Sequence, residues 1–425
     1  MRTTGVLSVP AFRFLIAGQF ASTIGDYCYA VALPWLVLSN HGSAALLGIV
    51  LACYGVPRTV LIPVGGILAD KFGPRTLMMG ADLGRCVLVA VLAVLAARHT
   101  ASLAALGPTA ALIGAGEGLF LPSSYSILPS LLDGERLGAG NALSSAAVQA
   151  GSLLGPSLGG ALVAITGTST AAFAIDAVSF AVSALTLALI RLPASEPVSV
   201  LEASPASGSE PQQNVLKLLL RWRPMRVIFL VTIAANLAGG GMSEVALPSL
   251  AHSHWGADGY GALLACFAGG ALIGTLGATR TTRLAQPAIF ITALFMVNAL
   301  ADSLIPFTGG EIGAAIALFV SGTTNGMANV VAITMVQKAI PPALTGRIMG
   351  ALMLCSFGSF PLSVAVTGLL VHHFGPVPFF PVAGGLVAAA LLFGLSQREF
   401  RAFGTTQAAE FREEPAVQAA EDSRR

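Results

Sequence analysis

The sequence predicts an all-α integral membrane protein. Its twelve transmembrane helices are expected in two six-helix bundles, related by a pseudo-twofold axis along the membrane normal. Three observations predict this fold: the lengths of the apolar segments, the one-sided distribution of the basic residues, and an internal repeat. The 425 residues are 55% hydrophobic and only 10% charged. A soluble domain carries about a quarter charged residues, so most of this surface must face something other than water.

The apolar segments have the length of membrane-spanning helices. A hydrocarbon core about 30 Å thick requires ~20 helical residues per crossing. The first segment is too long for the apolar region of a signal peptide and carries Asp26, so we interpret it as the first membrane helix. The twelve segments are residues 13–38, 44–68, 76–97, 103–128, 139–165, 170–190, 227–250, 259–279, 286–307, 312–336, 346–371 and 377–396.

The basic residues give the predicted helices an orientation. Loops on the cytoplasmic side of a membrane protein are enriched in Lys and Arg. With an even number of helices, 19 of the 22 basic residues fall in the two tails and in the loops on the side of the tails. Arg98 lies on the opposite side, whereas Arg58 and Arg85 lie within helices. We therefore expect a multi-pass protein of the plasma (inner) membrane with both termini in the cytoplasm.

Composition divides the chain into four regions. Residues 193–214 are rich in Pro, Ser and Glu and cannot bury a core. The predicted regions are an N-terminal bundle (1–190), a cytoplasmic linker (191–225), a C-terminal bundle (226–396) and a disordered cytoplasmic tail (397–425).

The two bundles carry traces of a duplication. Residues 31–34 (VALP) recur at 245–248, and residues 51–54 (LACY) recur as LACF at 264–267. A third match, around the loops after helices four and ten, has a similar offset. Since the offset spans six helices, both copies have the same orientation, and a cavity is expected between them that opens to one side at a time. This arrangement indicates a transporter.

The loop between helices two and three carries Gly66, Asp70, Lys71, Gly73 and Arg75 in the order G-x-x-x-D-K-x-G-x-R. Gly66 permits close helix contact, Asp70 can face a helix N-terminus or a cytoplasmic arginine, and Gly73 supplies a tight turn. The pattern resembles the signature loop of the major facilitator superfamily, although a proline replaces one basic residue. The resemblance implies a cytoplasmic latch between the two halves.

Helix five carries Gly151, Gly155, Pro156, Gly159 and Gly160. This run is similar to the fifth-helix motif of drug/proton antiporters in the same superfamily. The glycines give a flat face and the proline a bend, which suits a helix that closes against the other half. The alternative is an ordinary glycine-rich packing face.

The resemblance covers residues from about 12 to 398 and is strongest to an efflux branch that includes macrolide and siderophore exporters. One departure concerns helix four, where residues 111–118 (ALIGAGEG) contain Glu117 and no arginine. The proton-relay arginine of many antiporters in the family is therefore not carried over to this chain.

Several ionisable residues fall within the predicted helices. Each costs about 2.5–3.5 kcal/mol at the bilayer centre, so such residues usually face a wet cavity or a partner. Asp26 either binds a proton or a substrate cation, or forms a fixed pair with Arg58. Asp82, Arg85, Asp176 and Asp302 are expected to be interfacial or helix-stapling groups. The candidate coupling and cavity residues are Asp26, Glu117, Glu244, Arg58, Gln19 and Asn236.

The sequence offers no sign of a cofactor. The glycines at positions 114, 116 and 118 lie in a membrane helix without a preceding strand, so they are not a nucleotide-binding loop. We expect a proton gradient as the energy source, a small molecule and the lipid bilayer as partners, no metal, no nucleic acid, and a monomer.

The leading hypothesis is proton-coupled export of a hydrophobic or amphipathic small molecule by alternating access. An uptake carrier or a dedicated siderophore-like exporter is the alternative. A membrane sensor or enzyme without transport is the alternative from another class. All six histidines fall in the predicted external loops, so an intramembrane enzyme is not favoured.

Overall fold

The computed structural model describes residues 5–40, 42–99, 102–190, 223–278, 286–339 and 342–402. Within these ranges it is helical and contains no β-strand, and twelve helical segments are long and apolar enough to cross a membrane. The predicted all-α fold with twelve membrane-spanning helices is therefore confirmed. Most of the predicted linker and tail lies outside the described residues.

Six helices precede residue 190, and each matches a predicted span to within about five residues. They are α1 (Pro10–Ser39), α2 (Ala44–Phe72), α3 (Pro74–Ala97), α4 (Leu103–Ser126), α5 (Gly134–Thr166) and α6 (Thr170–Leu189).

The later spans include one that is not a regular α-helix. The seventh span consists of α7, a π-helical turn at Met242–Ala246, and α8. The α-helices from residue 223 onward are α7 (Arg223–Gly241), α8 (Leu247–His254), α9 (Gly256–Ala278), α10 (Pro287–Leu304), α11 (Glu311–Ala339), α12 (Pro342–Phe374), α13 (Phe379–Ser396) and the short α14 (Arg398–Ala402).

The chain divides into two compact units. The first unit comprises Met1–Gly208, Gly239–Ala268 and Phe357–Phe379, and the second comprises the remaining segments. The first unit thus contains α1–α6 together with the π turn, α8 and parts of α9 and α12. The second unit has its own apolar core, in which Ile291, Met335 and Phe400 are buried.

Small residues bring the helices of the first unit into close contact. A Cβ atom at Gly18 or Gly25 of α1 would collide with side-chain atoms of α6, at Thr186 and Ser179 respectively. Membrane helices associate through such small-residue surfaces, since lipid provides no hydrophobic driving force between them. This contact places α1 directly on α6.

The α2–α3 connection is a tight turn. Gly73 has a φ of +82°, which an L-residue with a side chain rarely adopts, and its N–H donates to Ala69 O at 2.9 Å. Arg75 donates from Nε to Leu187 O (2.7 Å) and from a terminal nitrogen to Ala188 O (2.8 Å). The loop is therefore fixed to the C-terminal end of α6, whose last carbonyl groups lack partners within the helix.

Gly66 does not have the expected role of permitting a close helix contact. A Cβ atom there would meet nothing within 4 Å, whereas a Cβ at the preceding Gly65 would lie 2.8 Å from the Pro122 ring of α4. Asp70 and Lys71 are exposed. The close helix contact expected at Gly66 therefore lies one residue earlier, at Gly65.

The helix-five glycines serve mainly the packing of the first half. Cβ atoms at Gly151, Gly155 and Gly159 would all collide with α1, and Cys28 Sγ donates to Gly155 O at 3.4 Å. Gly160 alone contacts a helix of the second half, at α9, where its Cα faces that of Gly261. The expectation that the whole glycine face closes against the other half is therefore wrong for three of its four glycines. Pro156 lies inside the continuous α5.

Candidate functional site: an intramembrane charged cluster

The site begins with the packing of α4 on α2. Cβ atoms at Gly114 and Gly118 would collide with the backbone of Tyr54 and Arg58, respectively. The two helices therefore approach at backbone distance on this face. This approach places Glu117, the residue before Gly118, beside the side chain of Arg58.

Arg58 and Glu117 form an ion pair inside the membrane-spanning region. A terminal nitrogen of Arg58 lies 3.0 Å from Glu117 Oε1, and the two side chains are 18% and 23% exposed. This partial exposure means that both groups can be reached from the surrounding space. The alternative of a fixed Asp26–Arg58 pair is wrong, because the contact partner of Arg58 is Glu117.

Two aromatic rings hold the Arg58 side chain in place. Its Cζ lies 4.6 Å from the ring centroid of Phe357 in α12 and 5.8 Å from that of Tyr54 in α2. Thr59, the next residue, donates to Phe357 O at 3.1 Å. Cation–π contact of this kind stabilises a guanidinium that has lost part of its hydration. The Arg58 Nε atom is buried and has no hydrogen-bond partner among the described residues.

Asp26 lies on the open side of α1. Its side chain is exposed, whereas Gly25 and Cys28 beside it are buried. Gln19, about two helical turns before Asp26, is half-buried. The hydroxyl groups of Ser22 and Thr23 donate to its backbone oxygen. Asp26 is near enough to Arg58 for an electrostatic interaction between them. The carboxylate of Asp26 is therefore accessible.

Glu244 lies in the π turn of the seventh span. It is half-buried and interacts electrostatically with Arg58. A π turn leaves backbone groups without their usual partners, and here the Gly241 N–H donates to Ser363 Oγ of α12 at 2.7 Å. Such turns are frequent at functional sites. Arg58 thus has Glu117 in contact and Asp26 and Glu244 in its electrostatic reach.

Asn236, the remaining predicted site residue, belongs to the second unit. Its side-chain amide donates to Thr232 O at 2.8 Å, within its own helix. Regular α-helical spacing between Asn236 and Glu244 ends at Gly241, because the π turn begins at Met242.

A second charged cluster, between α3 and α6, was not predicted from the sequence. Asp82 and Arg85 of α3, expected to be interfacial or helix-stapling groups, form an ion pair and are buried. Ser183 of α6 donates to Asp82 Oδ2 at 2.6 Å, and Asp176 of α6 is also buried. The signal in the sequence was the polar face of α6, where Asp176, Ser179 and Ser183 recur at helical spacing.

Asp302 of the second unit is buried near the end of α10, and its Oδ1 has no hydrogen-bond partner among the described residues. In the described part of the chain, no group of three or more His, Cys, Asp or Glu side chains is arranged to hold a metal ion.

Comparison with known proteins decides the family. The sequence profile of the Major Facilitator Superfamily matches residues 15–364. The chain belongs to the Major Facilitator Superfamily. It is a multi-pass membrane transporter, with twelve spans among the described residues, and is not an enzyme.

Two curated relatives are exporters by name. The chain is 27% identical over 392 residues to the "Multidrug efflux pump Tap" of Mycobacterium tuberculosis, covering 86% of this chain and 88% of Tap. It is 26% identical over 412 residues to the "Enterobactin exporter EntS" of Citrobacter koseri, covering 93% of each.

Solved structures share the fold at lower identity. The nucleoside transporter NupG superposes with a TM-score of 0.70 at 15% identity, over 91% of this chain and 98% of NupG. A bacterial homologue of the iron transporter ferroportin, in its inward-facing state, gives 0.68 at 16% identity, over 93% and 98%. At these identities the likeness concerns the fold alone.

Proposed function

We propose that this transporter exports a hydrophobic or amphipathic small molecule in exchange for protons. The observation that carries the proposal is the set of accessible charges in the first unit, in which Arg58 is paired with Glu117 and interacts with Asp26 and Glu244. Charged groups inside a membrane are costly and mark substrate or ion pathways. Three carboxylates around one guanidinium leave an excess of negative charge when all are ionised.

The cluster suits proton exchange because its members compete for one cation. When Glu117 takes up a proton, its attraction for Arg58 is lost, and the guanidinium is released towards Asp26 and Glu244. A cationic amphipathic substrate binds the same carboxylates in their ionised form, so the substrate and the proton compete for one position. Binding of proton and substrate becomes mutually exclusive, which is the requirement for antiport.

The direction and the substrate class are supported by the named relatives. Tap is called a multidrug efflux pump and EntS an exporter. Solved structures of the same fold include a D-xylose–proton symporter, so transport in vesicles is the measurement that decides the direction.

The test is proton-driven substrate movement in inside-out membrane vesicles. We expect Asp26→Asn and Glu117→Gln to lower proton-driven export at least tenfold while leaving the amount of protein in the membrane unchanged. The matched control is Glu311→Gln, which neutralises an exposed carboxylate at the start of α11. If both site variants retained full proton-driven export, the proposed coupling residues would be wrong.

The likeness to EntS favours a second candidate, a dedicated exporter of a siderophore-like product. A growth-inhibition panel in an efflux-deficient host separates the two candidates. Protection against several unrelated amphipathic drugs supports multidrug export, whereas restored secretion of one iron-chelating product without drug protection supports the dedicated exporter.

We further propose that both termini are cytoplasmic and that the chain acts as a monomer in the inner membrane. The excess of basic residues on the side of the tails supports the orientation. A C-terminal fluorescent protein, which folds only in the cytoplasm, should be fluorescent, and a C-terminal alkaline phosphatase should be inactive.

A further inference from the structure

A groove runs along the outside of the first unit between α3 and α4. Its volume is about 300 Å³. Gly80 and Gly84 of α3 border it, and a Cβ atom at either would meet nothing within 4 Å. On the α4 side the groove is deepened by Gly116, where a Cβ would press on the methylene stem of Arg85. The groove therefore exists because three positions carry no side chain.

The groove has the length of one leaflet of a bilayer. Its lining follows α3 from Thr76 to Leu88, which at 1.5 Å per residue is about 18 Å. Half of a hydrocarbon core is about 15 Å. Leucine side chains line much of it, at Leu77, Leu88, Leu112 and Leu119. Leu112 is 56% exposed, and in a membrane-spanning chain such a surface faces lipid.

The groove is also too narrow for a helix. Its volume divided by its length gives a mean cross-section of about 17 Å², whereas a helix about 10 Å wide with its side chains occupies roughly 80 Å². The fit is to a single hydrocarbon chain. The sequence Gly80-x-x-x-Gly84 is also the pattern of helix–helix association in membranes, so a second copy of this chain is the competing occupant.

A positive charge stands at one end of the groove. Phe72, at the end of α2, lines the mouth, and the exposed Lys71 lies beside it with Nζ 5.2 Å from the ring centroid. The basic residues predict that this end lies in the cytoplasmic leaflet, where anionic lipids attract such side chains. We propose that the groove binds one acyl chain of an anionic phospholipid and that Lys71 contacts its headgroup.

The bound chain would cover a buried ion pair. Arg85 lines the inner half of the groove, its side chain is 4% exposed, and its Nε atom has no hydrogen-bond partner among the described residues. Hydrocarbon in the groove keeps water from the Asp82–Arg85 pair, and a lower local dielectric strengthens the attraction between the two charges. The lipid is thus expected to raise the thermal stability of the protein, whatever substrate is transported.

Native mass spectrometry of the full-length protein in detergent tests the proposal, with dioleoyl-phosphatidylglycerol or dioleoyl-phosphatidylcholine added. We expect one tightly held phosphatidylglycerol per chain. Gly80→Leu and Gly84→Leu should abolish this binding for both lipids, because they fill the groove. Lys71→Gln should lower the preference for phosphatidylglycerol about fivefold, and Lys71→Arg should retain it. Gly385→Leu is the matched control, at an exposed helical glycine where a Cβ meets nothing.

The same spectra contain the results that would overturn the proposal. If Gly84→Leu bound as much phosphatidylglycerol as Gly385→Leu, the groove would not hold the lipid. If the wild type were dimeric and Gly84→Leu monomeric, with unchanged lipid binding, the face would be a contact between two copies. Melting temperatures measured with and without lipid show whether each variant is folded, so a loss of binding cannot be mistaken for unfolding.

Discussion

The described residues of the first unit include two arginine–carboxylate pairs of similar chemistry in different surroundings. Arg58 and Glu117 are 18% and 23% exposed, and they join two helices. Arg85 and Asp82 are 4% and 0% exposed, and they lie three residues apart on one helix. The guanidinium of Arg85 has a phenylalanine ring about 4.5 Å away at both Phe120 and Phe180, whereas that of Arg58 has one such close ring, Phe357.

The difference in exposure separates a structural pair from a pair that can change its partner. Removing one member of a fully buried pair leaves an uncompensated charge, which costs far more than the pair itself contributes. An accessible pair can exchange its partner for water, a proton or a substrate at little cost. The buried pair is therefore expected to control stability, and the accessible pair to control transport.

The largest effect on stability is expected from Arg85→Ala. Asp82 would remain buried without its cation, and we expect a loss of about 3–5 kcal/mol of unfolding free energy, measured as a fall in melting temperature of the purified protein. The double variant Arg85→Met with Asp82→Leu should recover most of the loss, because it removes both charges. A single variant as stable as wild type would remove the distinction between the two pairs.

A smaller loss is expected from Ser183→Ala. The hydroxyl group donates to Asp82 Oδ2 at 2.6 Å, and a buried hydrogen bond to a charged group contributes about 1.5–3 kcal/mol. The control is Ser253→Ala, an exposed serine near the end of α8. Equal melting temperatures for the two variants would show that Asp82 does not depend on α6.

Gly118→Ala should perturb the accessible pair through its backbone. The added methyl group would collide with the Arg58 carbonyl, and overpacking of this kind costs about 1–3 kcal/mol. It should also reduce transport, because it pushes α4 and Glu117 away from α2. Gly138→Ala, at an open position of α5, should be neutral or slightly stabilising. Transport at the wild-type rate in Gly118→Ala would show that the α2–α4 distance is unimportant.

The smallest effect on stability is expected from Glu117→Gln. Partly exposed pairs contribute up to about 1 kcal/mol, so the melting temperature should change little while proton-driven transport falls strongly. For Glu117→Gln we expect a large effect on transport and a small effect on melting temperature, whereas for Arg85→Ala we expect the reverse. A large loss of stability with normal transport would place Glu117 with the structural pair.

Much of the fold was predictable because membrane helices are determined by local composition. Segment lengths gave the twelve spans, and the loop motif gave the turn at Gly73. The partner of Arg58 was not predictable, since it depends on which helix packs beside α2. The glycines at 114 and 118 carry that information, but their contact face is not visible without the neighbouring helix.

The π turn of the seventh span has a geometric consequence. It holds one residue more than a regular helical turn, and each residue of an α-helix turns the chain by about 100° and advances it by about 1.5 Å. If the extra residue moves from the π turn into the neighbouring turn, the Glu244 side chain rotates about the helix axis by about 100°. Both ends of the span stay where they are. Ser363 holds the turn at its present place through the Gly241 N–H. The seventh span can thus redirect a single acid by changing its winding, without moving as a rigid rod.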